Sequence, residues 1–169
     1  MSYSIQNLDS YLVKKFLESS SPEPSVIDVG VGAGKTVNIL GAFCNVLDGI
    51  EAREPVIKEF KLEERYDHIF QIDARDFKHR DKYDTIIMGD MIEHLSVKEA
   101  QALVERMKKW VVNTIFIQVP YKYPQEALHD NPFELHVQWD LTHENFMERY
   151  PWFKLVVKDE QVGLYMFKK

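Results

Sequence analysis

Residues 26–34 constrain the fold of this chain more than any other part of its sequence. They begin as an apolar, β-branched run, which is typical of a buried strand, and then place glycine at every second position. Residues 35–43 carry the pattern of a helix. A strand, a glycine turn and a helix bring backbone amides and a helix N-terminus close to a bound ligand. The sequence therefore predicts a ligand site at this turn.

Three glycine patterns compete for this turn, and their register decides between them. A phosphate-binding P-loop that ends at Gly34, Lys35 and Thr36 requires a glycine where the chain has Val29. The dinucleotide fingerprint requires its third glycine at position 35, which is lysine. The pattern that fits is an acid, Asp28, followed by glycine at every second position.

The rest of the chain alternates between strand and helix patterns. Five apolar runs separated by helical segments predict a parallel sheet with helices on both of its faces. The last two runs flank the polar residues 158–161 and predict an antiparallel hairpin. An amphipathic helix over residues 7–18 is expected to pack on the sheet edge or to cover the pocket. The predicted strands span residues 26–29, 46–51, 68–74, 83–90, 111–119, 153–157 and 162–167.

Composition narrows the class of protein. The chain has 169 residues, of which 45% are hydrophobic and 28% charged, as in a soluble globular protein. Its net charge of −6 disfavours nucleic acid as the main partner. No apolar run approaches the ~20 residues of a membrane span, and no signal-peptide pattern opens the sequence. With Cys44 as its only cysteine, the chain is expected to be cytoplasmic.

The acid and glycine pattern, in this order of strands, resembles the class I S-adenosylmethionine-dependent methyltransferases of the small-molecule type. Residues 89–95 are similar to the segment after the fourth strand in that family, and residues 131–136 resemble a substrate-side loop of some bacterial members. The resemblance implies one methyltransferase-like domain over residues 1–169. It also implies an α/β, Rossmann-like, doubly wound fold, whose seven-stranded sheet is mostly parallel and ends in a C-terminal antiparallel hairpin.

The same resemblance implies a site for S-adenosylmethionine. Asp28, Gly30 and Gly32 would line its methionine and ribose part. Glu51, 17 residues beyond Gly34, would accept both ribose hydroxyls from the end of the second strand. The remaining implied contacts are Asp73 and Ala74 at the adenine, and Asp90 and Met91 at the sulfonium and its methyl group.

The implied reaction displaces a methyl group from a sulfonium onto an oxygen or nitrogen of a small molecule. Holding the reacting atoms in line supplies ~7–11 kcal/mol, so an obvious general base is not required. Where a hydroxyl acceptor needs one, His136 and His94 are the candidates, since histidine titrates near physiological pH. No metal site is predicted, because the spacing of His129, His136 and His143 does not force ligands to converge.

Other functions stay open at the level of sequence. The chain is short and lacks an extra substrate domain, so it fits a regulatory or scaffold protein that binds S-adenosylmethionine or S-adenosylhomocysteine without catalysis. A nicotinamide-dependent enzyme is disfavoured by Lys35 and by the terminal hairpin. Methylation of nucleic acid is disfavoured by the acidic charge and by the lack of an Asn/Asp-Pro-Pro-aromatic motif after the fourth strand. The sequence does not identify the methyl acceptor.

Overall fold

The computed structural model describes residues 8–79, 81–126 and 132–169. Its helices are α1 (Leu8–Ser19), α2 (Lys35–Leu40), α3 (Glu54–Glu59), α4 (Val97–Trp110) and α5 (His143–Arg149). Its strands are β1 (Ser25–Val29), β2 (Val46–Ile50), β3 (His68–Phe70), β4 (Tyr83–Gly89), β5 (Val111–Pro120), β6 (Lys154–Lys158) and β7 (Val162–Lys168). In the part of the chain that these ranges cover, no helix has the length and apolar character that a bilayer crossing requires.

The strands form one seven-stranded sheet in the order β3-β2-β1-β4-β5-β7-β6. The first five strands pair in parallel, and β7 runs antiparallel between β5 and β6. The predicted fold class is therefore confirmed. The chain order reverses direction between β1 and β4, which are neighbours in space. In sheets of this kind, a crevice for ligands opens at the carboxyl ends of the strands on either side of that reversal.

Helices cover the two faces of the sheet, as the long apolar runs of its central strands require. Side chains alternate along each strand, so Ile86 and Met88 pack in one apolar cluster with Leu103 of α4. The intervening Ile87 packs on the opposite face in a cluster with Phe16 of α1. Helix α1 also contacts α2, β5 and the edge strand β6, which confirms its expected place beside a sheet edge.

Strand β3 is shorter than the sequence predicts. The apolar run was expected to continue as a strand to residue 74, but the strand ends at Phe70. Among the described residues, β3 pairs with β2, and that strand ends at Ile50, which lies opposite Phe70. The pairing therefore stops at that point. The chain turns there, and the amide of Ile72 donates to the carbonyl of Phe70 at 3.0 Å. Asp73 therefore lies in a turn rather than at a strand end.

Candidate functional site

A cleft of about 570 Å³ lies at the carboxyl ends of β1, β2 and β4. Its volume falls within the ~300–1,000 Å³ that is usual for small-molecule sites. All the residues that sequence reasoning assigned to the cofactor line this cleft, with the exception of Asp28. They are Gly30, Gly32, Glu51, Asp73, Ala74, Asp90 and Met91. The fold thus brings together residues that are up to 61 positions apart, counted from Gly30 to Met91 (91 − 30).

The glycine turn needs two of its glycines for different reasons. Gly30 has a φ of +79°, and a Cβ there would lie 2.6 Å from the Cγ of Met91. The side chain of Met91 therefore packs directly on the turn. Gly32 has a φ of +53°, and a Cβ there would meet no atom within 4 Å. The backbone at Gly32 is consequently exposed to the open cleft, where a ligand can approach it closely.

Glu51 directs its carboxylate at this turn. The side chain is only 8% exposed, and its Oε2 accepts a hydrogen bond from the amide of Gly32 at 3.0 Å. Its Oε1 accepts from the amide of Arg53, also at 3.0 Å. Because each carboxylate oxygen has two acceptor positions, the group is fixed in orientation and still able to accept from a ligand. The predicted position of an acid beside the glycine turn is confirmed.

Asp28 lies beneath the turn instead of in the cleft. It is buried, and the hydroxyl of Tyr66 donates to its Oδ2 at 2.7 Å. Burial raises the pKa of Asp28 to about 6, against the opposing effect of hydrogen bonds from Tyr66 and Thr36. The side chain lines a neighbouring cavity together with Leu12 of α1. Its predicted contact with a cofactor therefore stays a prediction.

Ion pairs and hydrogen bonds fix the far end of the cleft. The guanidinium of Arg75 binds the carboxylate of Asp73 at 2.6 Å and lowers the pKa of that group. Arg75 also binds Glu99 at 2.7 Å, and Arg106 donates to the carbonyl of Ala74 at 2.9 Å. The carboxylate of Asp73 is therefore held in place at this end of the cleft.

Sequence reasoning missed Arg65, which supports the glycine turn from the outside. Its guanidinium donates to the carbonyls of Ala33 at 3.1 Å and Gly34 at 2.9 Å. A Cβ at Gly34 would lie 2.6 Å from one of its nitrogens. Arg65 lies 31 residues beyond Gly34 and follows a short 3₁₀ turn at Leu62–Glu64. No local pattern marks it, because the contact depends on how α3 and β3 are placed.

A second cavity of about 320 Å³ adjoins the cleft. The two cavities share Asp90 and His94 among their lining residues. The smaller one is also lined by Glu93, Tyr121, Lys122, Tyr123, Gln125 and His136. The two histidines that were predicted as catalytic candidates therefore meet, with ring centroids 4.7 Å apart.

Asp90 lies at the junction of the two cavities in an unusual backbone conformation. Its φ is +49°, a region that residues other than glycine rarely adopt, although aspartate is enriched there. Its amide donates to the carbonyl of Gln118 at 3.1 Å, and the side-chain amide of Gln118 donates to its Oδ2 at 2.8 Å. Burial raises the pKa of Asp90. Gln118 on β5 is a second residue that the sequence did not reveal.

The fold brings one further carboxyl group to the two histidines. Glu93, His94 and His136 each offer one ligand atom, and these atoms lie within 4.8 Å of one another. His136 is only 7% exposed, so its ring is buried among these residues and does not lie on the surface. His143 lies elsewhere, 2.9 Å from the hydroxyl of Tyr165, and His129 lies outside the described residues.

The long segment between β5 and α5 closes one side of the cleft. It contains a 3₁₀ turn at Pro132–Glu134, and Arg53 from the loop after β2 forms an ion pair with Glu134. Leu135 and Val137 line the cleft just beyond that turn. The described part of this segment therefore lies at the cleft. Of the resemblance proposed for residues 131–136, residue 131 lies outside the described residues.

A parallel sheet whose carboxyl edge carries a glycine turn, an acid and a cleft defines a Rossmann-like α/β protein that binds a small organic cofactor. A family model described as a methyltransferase domain matches residues 27–113. The chain belongs to the class I S-adenosylmethionine-dependent methyltransferases. A search of curated proteins finds no match.

Solved structures share the fold at low sequence identity. A methyltransferase from Clostridium acetobutylicum ATCC 824 is 9% identical with a TM-score of 0.75, over 99% of this chain and 92% of that one. The N-methyltransferase NodS from Bradyrhizobium japonicum WM9 is 12% identical with a TM-score of 0.67, over 95% and 92%. A magnesium protoporphyrin IX methyltransferase from Synechocystis PCC 6803, with bound S-adenosylmethionine, is 13% identical with a TM-score of 0.65, over 96% and 76%.

Proposed function

We propose that this protein transfers the methyl group of S-adenosylmethionine to an oxygen or nitrogen atom of a small molecule. The observation that carries the proposal is the meeting of the two cavities at Asp90 and His94. The larger cleft has a volume suited to the methyl donor, and it contains the carboxylate of Glu51 beside the glycine turn. The smaller cavity gives an acceptor access to the donor from the side. Methyl transfer requires this arrangement, because nucleophile, methyl carbon and sulfur must lie in line.

The donor occupies the cleft in an orientation that its polar residues determine. Glu51 accepts hydrogen bonds from the two ribose hydroxyls, while the amide of Gly32 holds its carboxylate in place. Asp73 and Ala74 lie at the adenine end, and Asp90 and Met91 at the sulfonium end. Asp28 supports the donor site indirectly, from its buried position beneath the glycine turn. Among the solved structures of similar fold, one holds S-adenosylmethionine and another S-adenosylhomocysteine, which supports this choice of donor.

The acceptor occupies the smaller cavity, whose walls are aromatic and polar. Tyr121 and Tyr123 offer flat surfaces, and Gln125 and Lys122 offer hydrogen-bond donors. His136 and His94 are the catalytic candidates for removing a proton from a hydroxyl acceptor. Burial lowers the pKa of His94, which keeps its ring neutral and able to accept a proton at neutral pH. The presence of an acceptor cavity favours catalysis over a protein that only binds the donor.

A binding experiment tests the donor half of the proposal. In calorimetric titrations, S-adenosylmethionine and S-adenosylhomocysteine should bind, and NAD should not. The variant Glu51→Gln removes a charged acceptor of hydrogen bonds that are worth ~1.5–3 kcal/mol, so its Kd should rise about 10- to 150-fold. Glu54→Gln is the matched control, because Glu54 is exposed and forms an ion pair with Lys58 on the surface of α3. Binding of NAD alone, or an unchanged Kd for Glu51→Gln, would contradict the proposal.

The transfer itself is tested with a methyl-labelled donor. Incubation with a mixture of small metabolites should move the label into a molecule of low mass and release S-adenosylhomocysteine. Substitution of His136 or His94 by alanine should slow the transfer to a hydroxyl acceptor by about 10²–10⁴-fold if that histidine is the base. An unchanged turnover would remove it from this role.

A further inference from the structure

Glu93 is a buried acid that lacks hydrogen-bond partners among the described residues. Its side chain is 1% exposed and lines the acceptor cavity. Neither carboxylate oxygen has a hydrogen-bond partner within residues 8–79, 81–126 and 132–169. A buried charge without partners is costly, and proteins retain one where it is neutralised, paired or bound to a metal ion. The nearby carboxylate of Asp90 adds negative charge and so increases the need for a cation.

Two imidazoles complete a set of three ligands around this carboxylate. Glu93 and His94 belong to the 3₁₀ turn at Ile92–His94, and His136 approaches from the segment before α5. Their ligand atoms lie within 4.8 Å of one another. Around a tetrahedral ion with bonds of ~2.0–2.1 Å, ligand atoms are about 3.3 Å apart. Small rotations of the flexible Glu93 side chain can close this difference.

The histidine rings are held as ligands usually are. The Nδ1 of His94 lies 3.2 Å from the carbonyl of Leu135, and the Nδ1 of His136 lies 2.8 Å from the carbonyl of Tyr123. A carbonyl only accepts, so in each neutral ring Nδ1 carries the proton and Nε2 carries the lone pair. Metal-binding histidines typically donate their other ring nitrogen to a backbone carbonyl or a carboxylate in this way.

We propose that Glu93, His94 and His136 bind one divalent transition-metal ion, such as Zn²⁺, in the wall of the acceptor cavity. Two imidazoles and one carboxylate form the ligand set of open zinc and iron sites, which leave at least one position free. Resting on the proposed function, the free position binds a hydroxyl oxygen of the acceptor and holds it toward the methyl group. With the ion bound, His94 and His136 act as its ligands instead of as bases, and the ion lowers the pKa of the hydroxyl, whose proton passes to water. The acceptor class is then a small molecule with a hydroxyl group.

Direct titration tests the site without reference to activity. Tag-free protein is freed of metal with a chelator and titrated with Zn²⁺ by calorimetry and with Co²⁺ by absorption spectroscopy. One equivalent should bind. Loss of an outer-shell partner alone weakens metal binding about 10- to 100-fold, so Glu93→Gln and His136→Ala should each weaken it more than about 100-fold. His68→Ala is the control for loss of an imidazole, because His68 is exposed on the edge strand β3.

The folded state of the variants is verified by titration with S-adenosylmethionine, which depends on Glu51, because neither Glu93 nor His136 lines the donor cleft. Glu93→Gln keeps the shape of the side chain and removes a buried carboxyl group that has no hydrogen-bond partner among the described residues, so its thermal stability should not fall. Failure of Zn²⁺ and Co²⁺ to bind, or equal binding by both variants, would overturn the site even where the donor binds. Failure of the donor to bind, with the metal bound, would instead overturn the proposed function.

The free coordination position has a separate readout. Azide added to the Co²⁺ protein should change the visible absorption bands, because it enters the open position beside the two imidazoles. An unchanged spectrum would mean that the ion has no free position, and the assignment of a hydroxyl acceptor would fall with it.

Discussion

At the scale of single residues, Asp28 has two competing demands. The family pattern places an acid here, two positions before the first glycine of the turn. In the structure its carboxyl group is buried beneath the turn, beside the hydroxyl of Tyr66. Burial raises its pKa from 3.8 to about 6. At pH 7 the folded protein must therefore keep an acid ionised in a place that favours its neutral form.

This conflict predicts how Asp28→Asn changes stability with pH. The folded state holds the proton up to pH of about 6 and the unfolded state only up to about 4, so the Asp28 contribution to stability falls as pH rises through that window. Chemical unfolding measures the free energy of unfolding at each pH. Between pH 4 and pH 7, the value for Asp28→Asn should increase relative to that of the native protein by up to about 3 kcal/mol. The variant carries no charge to bury, and the oxygen of its side-chain amide can still accept the hydrogen bond from Tyr66.

The exposed Asp76 provides the control for this experiment, through the variant Asp76→Asn. A difference between Asp28→Asn and the native protein that is independent of pH would contradict the raised pKa. If Asp28→Asn instead lost stability relative to the native protein between pH 4 and pH 7, the pKa of Asp28 would be lowered and not raised.

Sequence spacing found some residues of the site and missed others for a physical reason. Glu51 was predictable because parallel strands end at one edge, so an acid just after β2 must lie beside the glycine turn. The meeting of His136 with His94 was not predictable, since 42 residues (136 − 94) separate them and no regular element fixes the later one. Arg65 and Gln118 act through contacts that only the folded chain creates.

At the scale of elements, local signals were the reliable ones. Residues 96–99 carry the Ser-x-x-Glu pattern of a capping box, and the structure shows both of its hydrogen bonds. Thr142 likewise caps α5. The predicted end of β3 was wrong because a strand requires a paired neighbour. The neighbour is β2, and the pairing stops where β2 ends. Helix caps are local chemistry, whereas strand ends depend on pairing.

One contact between elements should tune donor binding. The ion pair of Arg53 with Glu134 joins the loop after β2 to the 3₁₀ turn that covers the cleft. Both side chains are 30% exposed, and pairs of this kind are worth ~0.2–1 kcal/mol. The variant Arg53→Ala should therefore raise the Kd for S-adenosylmethionine by up to about 5-fold at low salt, and calorimetry measures this change.

Lys58→Ala is the matched control for that variant, because Lys58 forms an exposed pair with Glu54 on α3. High salt should reduce the difference between Arg53→Ala and the native protein, since salt screens partly exposed pairs. A Kd that is unaffected at low salt would mean that the ion pair does not hold the covering segment in place.

At the scale of the whole molecule, the sheet order determines where the two cavities lie. The reversal between β1 and β4 opens the donor cleft. Gln161, just before β7, and Val162, at the start of β7, line the acceptor cavity. The strand order follows from the alternation of elements and the family pattern, which the sequence carries. The positions of the cavities cannot be predicted in the same way, because their walls come from segments with no regular sequence pattern.

Because the cleft draws on β1, β2, β4 and the turn after β3, donor binding should be coupled to unfolding of the whole sheet. A ligand that binds only the folded state at 100 times its Kd adds ~2.7 kcal/mol to the free energy of unfolding. For a chain of this size, ~1 kcal/mol corresponds to a Tm change of about 2–4 °C, so Tm should rise by roughly 5–11 °C. Thermal unfolding with S-adenosylmethionine measures this rise, and NAD at the same concentration should produce none. The same donor concentration should raise Tm less for Glu51→Gln, because it is then only about 0.7–10 times the Kd of the variant. An equal rise in both proteins would mean that the donor stabilises the fold from a place other than this cleft.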